Sequence, residues 1–204
     1  MRICDDRYSR ERARMELALR FLRHEARTQT IRTWTGLSDD RIRKLYRSYM
    51  SHVRRELPRH RGKSPHQVAY FTRSLRLQEE SALLASMLSL LGVLPATAHG
   101  ASAAAGAAAA SACAAGSAAT ALPLAGVRRG ELLCQAFEAF RLFLPAAQIS
   151  FEHAVFLVNA LARGDQLRLG DCGGCGSLMV TERFPLRLAR CAYCASPAHP
   201  RNPA

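Results

Sequence analysis

The residues of this chain best suited to chemistry are four cysteines near its C-terminal end. Cys172-Gly-Gly-Cys175 is followed, after 15 residues, by Cys191-Ala-Tyr-Cys194. A Zn²⁺ ion takes four thiolates tetrahedrally at about 2.3 Å, and a CxxC loop bends to offer two of them together. Gly173, Gly174 and Gly176 permit the tight backbone of such a knuckle. Four thiolates leave no open position for water or substrate. The expectation is therefore one structural Zn²⁺ held by Cys172, Cys175, Cys191 and Cys194. Two other readings fit less well: a redox CxxC needs no second matching pair, and two local disulfides suit a reducing compartment poorly.

No other grouping has the spacing of a catalytic site. The sequence contains no Gly-rich phosphate loop, HExxH or GxSxG. His24, His52, His60 and His66 lie among arginines and read as parts of a solvated face. Cys134, beside Phe137 and Phe140, reads as core, and Trp34 as a packing residue. An enzyme is not expected.

The elements that must position these residues read as helices. Met15, Ala18, Leu19, Leu22 and Ala26 recur at helical spacing. A short helix over 27–34 reaches the turn Thr35-Gly36-Leu37, and Ser38 is placed to cap the next helix, with Asp39 and Asp40 at its positive end. There Ile42, Leu45, Tyr49 and Val53 form an apolar stripe opposite Arg41, Lys44, Ser48 and Arg55. Ser64-Pro65-His66-Gln67 predicts the start of a long helix running to about Leu91 and ended by Gly92 and Pro95. A helix resumes near Arg128 with Leu133, Phe137, Phe140 and Leu144 on one face. Ser150 caps another, carrying Phe151, Val155, Val158 and Leu161 to Gly164. Leu178-Met-Val-Thr and Leu186-Arg-Leu are short strand-like pieces between the cysteine pairs.

The expected fold is mainly α: a helical domain with a helix-turn-helix-like segment and a small C-terminal Cys4 zinc module. The divisions are a basic helical region over 1–95 (helix-turn-helix-like over 27–56) and an Ala/Ser/Gly-rich insertion over 96–126. A helical pair over 127–165, the zinc module over 166–196 and a tail over 197–204 follow.

Charge indicates the partner. The 204 residues carry 29 Lys+Arg against 16 Asp+Glu, a net of +13, which favours a polyanion. Residues 1–80 hold 20 of the basic residues against 10 acids, so the polyanion-facing surface belongs to that part. Ile31, Leu37, Ile42 and Leu45 around Gly36 match the pattern that packs two helices at a steep angle. Candidate DNA contacts are Arg41, Lys44, Arg47, Arg54, Arg55, Arg59, Arg61 and Lys63, since Arg and Lys meet phosphates and guanine edges. The alternative is an ordinary helical hairpin with a solvated basic face, which Asp39 and Asp40 favour because acids at the start of a recognition helix repel phosphates. The rival reading is a zinc-stabilised adaptor whose basic face meets acidic proteins or RNA. No membrane span is expected, since the strongly apolar run Ala82–Leu94 is only 13 residues long. The opening residues carry acids and no apolar stretch, so no signal peptide is expected either.

With these features in hand, the chain resembles the flagellar transcriptional activator FlhC family. The carrying residues are Thr35-Gly-Leu-Ser-Asp-Asp-Arg-Ile-Arg-Lys-Leu-Tyr46, the stretch Leu75 to Leu91 with Ala85-Ser-Met87, Ala136-Phe-Glu-Ala-Phe-Arg-Leu-Phe-Leu144, and the four cysteines. The likeness spans about residues 10–95 and 127–196. It implies a cytoplasmic, largely helical DNA-binding subunit. It also implies a hetero-oligomer with FlhD, bound upstream of flagellar promoters to recruit RNA polymerase, with the family's zinc cysteines at the four positions here. Two departures stand out. Residues 96–126 occupy the place of a short connection in the family, and the ten residues after Cys194 lack a basic cluster.

Overall fold

Helical periodicity organises the chain. A computed structural model describes residues 2–52, 60, 62–94, 125–184 and 190–195. Among them are seven α-helices and one two-stranded sheet: α1 (Arg2–Arg23), α2 (Thr28–Thr35), α3 (Asp39–His52), a 3₁₀ turn (Val68–Phe71), α4 (Leu75–Leu90), α5 (Ala125–Phe143), α6 (Phe151–Arg163), β1 (Leu167–Asp171), β2 (Leu178–Glu182) and α7 (Ala192–Ala195). The mainly helical expectation holds.

α1 is buried through Leu17, Ala18, Phe21 and Leu22. Its buried face is thus centred on Leu17 and Phe21 rather than on Met15 and Leu19, which are only half-buried. Phe21 sets this rotation: its ring packs edge-on against Phe151 of α6, with centroids 4.9 Å apart. α2 stops at Gly36, whose φ of 70° is left-handed and whose N–H donates to the Arg32 carbonyl at 2.9 Å. Ile31, Leu37 and Ile42 are buried where α2 and α3 meet α1. α5 crosses α1 and α2 closely at Gly130, where a Cβ would stand 2.7 Å from Leu17 Cδ2.

The long helix expected from Ser64 begins ten residues later. Ser74, not Ser64, is the N-cap of α4, its hydroxyl accepting from the Leu77 N–H at 3.3 Å. Phe71, fully buried and stacked 5.8 Å from Phe156, pins the 3₁₀ turn onto α6 and forces a break before α4. At the other end Gly92 is left-handed, and the Val93 N–H donates back to the Leu88 carbonyl, closing the helix where the sequence placed its end. α6 follows its sequence signals directly. The Ser150 hydroxyl caps the His153 N–H, and Gly164, with φ of 64°, terminates it.

β1 and β2 pair antiparallel with Leu167 opposite Glu182 and Leu169 opposite Val180. β1 buries alternate residues, as a half-covered strand must. Met179, Val180 and Thr181 are all buried in β2, because α4 packs against that strand. Leu167, Leu169 and Val180 belong to the same hydrophobic core as the helices, so the hairpin carrying the cysteines is docked on the helical body. β1 precedes the first cysteine and was not expected as a strand. The piece expected at 186–188 lies outside the described residues, as does nearly all of the Ala-rich segment. Ala125 and Gly126, counted with that segment, are the first turn of α5. No helix among the described residues is long and apolar enough to cross a membrane.

Candidate metal centre

The four cysteines come together from two loops. The first leaves β1 at Asp171. The Gly176 N–H donates to the Cys172 carbonyl at 2.9 Å and the Cys172 N–H to the Ser177 carbonyl at 2.8 Å, folding residues 172–177 into a tight knuckle. Gly176 has φ of 71°, which explains glycine at that place. Gly174 sits in a tight place instead, since a Cβ there would stand 3.1 Å from Cys194 Sγ. The second loop opens α7, where the Ala195 N–H donates to the Cys191 carbonyl at 2.9 Å.

The Sγ atoms of Cys172, Cys175, Cys191 and Cys194 lie within 4.8 Å of one another, and those of Cys175 and Cys191 are 3.6 Å apart. Tetrahedral thiolates at about 2.3 Å from a metal stand roughly 3.8 Å apart, so these side chains fit a metal ion. The surroundings favour thiolates at Cys172 and Cys175. Cys172 Sγ accepts from the backbone N–H groups of Cys191 at 3.1 Å and Gly174 at 3.4 Å. Burial pushes the Cys172 thiol up, but those N–H groups outweigh it and hold it down at about 6. The Ser177 hydroxyl, 3.2 Å from Cys175 Sγ, lowers the Cys175 thiol. Cys194, hydrogen-bonded first to Cys175, is pushed up to about 12. The outcome is a cluster able to hold one metal ion, which is held in shape by backbone hydrogen bonds.

The basic residues are spread over several surfaces. Arg41 is exposed on α3 and paired with Glu11 of α1. Lys44 and Arg47 are exposed, with no ion-pair partner among the described residues. Lys63 is exposed in the loop before the 3₁₀ turn. Arg54, Arg55, Arg59 and Arg61 lie outside the described residues.

Several polar residues the sequence did not single out hold the helices together. Glu152 is buried in the first turn of α6, where it accepts from the Arg27 N–H at 2.8 Å and the Thr30 hydroxyl at 3.0 Å. It thereby caps α2 from a distant part of the chain. Glu80, also buried, accepts from the N–H groups of Gln148 and Ile149 and from Arg76, fixing the α5–α6 connection. His24 corrects an expectation. It is not on a solvated face but stacks on Phe151 at 5.0 Å, with Nε2 2.9 Å from Glu138 Oε1. Cys134 is fully buried, and burial pushes its thiol up to about 12, as its reading as core implied.

No protein-family model matches the chain, and no curated protein matches it either. The features shown are a mainly helical body and a docked cluster of four cysteines that can hold a metal ion.

Proposed function

We propose that this chain is a DNA-binding transcriptional activator subunit of the FlhC type. It would act with FlhD at flagellar promoters to recruit RNA polymerase, with one structural Zn²⁺ on Cys172, Cys175, Cys191 and Cys194. The observation that carries the DNA-binding part is α3. Ile42 is buried and Leu45 and Tyr49 half-buried on one side, while Arg41, Arg43, Lys44 and Arg47 are exposed. The left-handed Gly36 between α2 and α3, with Ile31, Leu37 and Ile42 buried around it, supports a helix-turn-helix reading. Asp39 and Asp40, the acids that count against phosphate contact, are answered by Arg32 at 3.9 Å and Arg43 at 3.2 Å. The partner, the promoters and the polymerase rest on the sequence resemblance.

The test is fluorescence anisotropy on a flagellar promoter fragment and a scrambled duplex, with and without FlhD, across a salt series. Promoter preference that appears with FlhD supports the proposal. Lys44→Ala should then weaken binding to both DNAs and flatten the salt slope by about one unit, as loss of one phosphate contact requires. Equal binding to both duplexes under all conditions would sink the activator reading and favour an adaptor for acidic proteins or RNA.

A further inference from the structure

An open cleft of about 230 Å³ lies between the loop before the 3₁₀ turn and the start of α6. Arg27, Lys63, Ser64, His66, Tyr70 and His153 line it, and no carboxylate is among its described lining residues. This chemistry is one-sided: a guanidinium, an ammonium, two imidazoles and hydroxyls among the described residues of the wall. Tyr70, His153 and Arg27 are also held in place. Tyr70 stacks on His153 with centroids 4.0 Å apart and donates its hydroxyl to the Gln148 carbonyl at 3.1 Å. Ser150 Oγ accepts from the His153 N–H and stands 2.7 Å from Nδ1. The Ser150 hydroxyl, with one proton and two lone pairs, can serve either tautomer of that ring. Arg27 donates through Nη1 to the Gly62 carbonyl, and its Nε is buried without a hydrogen-bond partner.

Arg27 is partly answered by Glu152, which stands behind it with Oε2 3.9 Å from Nε. Lys63 has no ion-pair partner among the described residues, and it adds its positive charge to the wall of the cleft. The volume is below the roughly 300–1,000 Å³ of pockets that enclose drug-sized ligands, which suits a single compact group. We infer that this cleft binds a phosphate group, either on a nucleic-acid backbone or on a free phosphorylated ligand. The inference does not require the transcriptional reading, because the cleft is assigned from its own side chains.

The experiment titrates inorganic phosphate into the full chain at constant ionic strength, followed by ¹H–¹⁵N correlation spectra with chloride as the reference. Saturable shifts centred on the amides of Lys63, Ser64, Gln67 and His153 are expected. Lys63→Gln should weaken the titration about tenfold, the scale of one charge-assisted hydrogen bond. His66→Ala serves as a second variant, and both residues are exposed, so the rest of the spectrum should be unchanged. Shifts no larger than those with chloride, or an affinity unchanged from the parent chain in both variants, would overturn the inference. A duplex that moves the same amides and is displaced by phosphate assigns the group to a nucleic-acid backbone. A duplex that moves only α3, with phosphate still filling the cleft, assigns it to a free ligand. Failure of DNA to bind at all would count against the proposed function while leaving the phosphate titration decisive for the cleft.

Discussion

Replacing Cys175 by serine isolates the metal centre from the packing around it. Cys175 is exposed, unlike Cys172, so its thiol can be removed without opening a hole in the core. Structural zinc in small modules contributes an apparent 10–16 kcal/mol or so. Shared evenly over four thiolates, that is about 2.5–4 kcal/mol per ligand, or roughly two to three decades in affinity at about 1.4 kcal/mol per decade. Cys175→Ser should therefore bind Zn²⁺ some 100- to 1,000-fold more weakly in competition with a chromophoric chelator. The hairpin should survive, because Leu167, Leu169 and Val180 anchor it in the helical core. Hydrogen exchange should then quicken at residues 172–177 and 190–195 while the helices keep their protection. Cys134→Ala is the control, since that thiol is buried away from the cluster and should not affect metal content. Undiminished zinc affinity in Cys175→Ser would refute the four-thiolate assignment.

Three further outcomes follow from the same structure. Zinc uptake at pH 7 should release protons, because Cys194 is pushed up to about 12 and must lose its proton to bind, whereas Cys172 at about 6 is already mostly ionised. Calorimetry in buffers of different ionisation enthalpy reads the number, and zero would contradict the arrangement. Glu152→Ala strips a buried acceptor from the Arg27 N–H and the Thr30 hydroxyl and should cost about 3–4 kcal/mol in urea unfolding. A loss under about 1 kcal/mol would show that Glu152 does not hold α2. The Arg20 hydrogen bond lowers the Glu138 carboxyl from the ordinary 4.5, against the effect of burial. A carboxyl depressed by folding stabilises the protein above its unfolded pKa and stops doing so as pH falls through its folded value. Glu138→Gln should therefore flatten the stability profile below about pH 4.5, and an unchanged acid limb would refute the link.

The features legible in the sequence are those set by one to four neighbouring residues. The cysteine spacing brought four thiolates to one centre, and Gly36, Gly92 and Gly164 marked helix ends because the left-handed conformation is a property of one residue. Ser150 capped α6 because its partner N–H is three residues away. The choice between Ser64 and Ser74 was not of this kind. Both stand before helical patterns, and only the burial of Phe71 against α6 decides where α4 starts. β1 was equally hidden, since Leu167-Arg-Leu-Gly-Asp becomes a strand by pairing with β2. The same holds for the polar side chains that bridge the helices. Glu152 meets Arg27 across 125 positions, His24 meets Glu138 across 114, and Glu80 meets Gln148 across 68. A carboxylate written among apolar residues looks like a solvated side chain until the helix that supplies its donors packs against it. Turns, caps and ligand spacing are local properties of the chain, whereas burial and its compensation depend on residues that only the fold brings together.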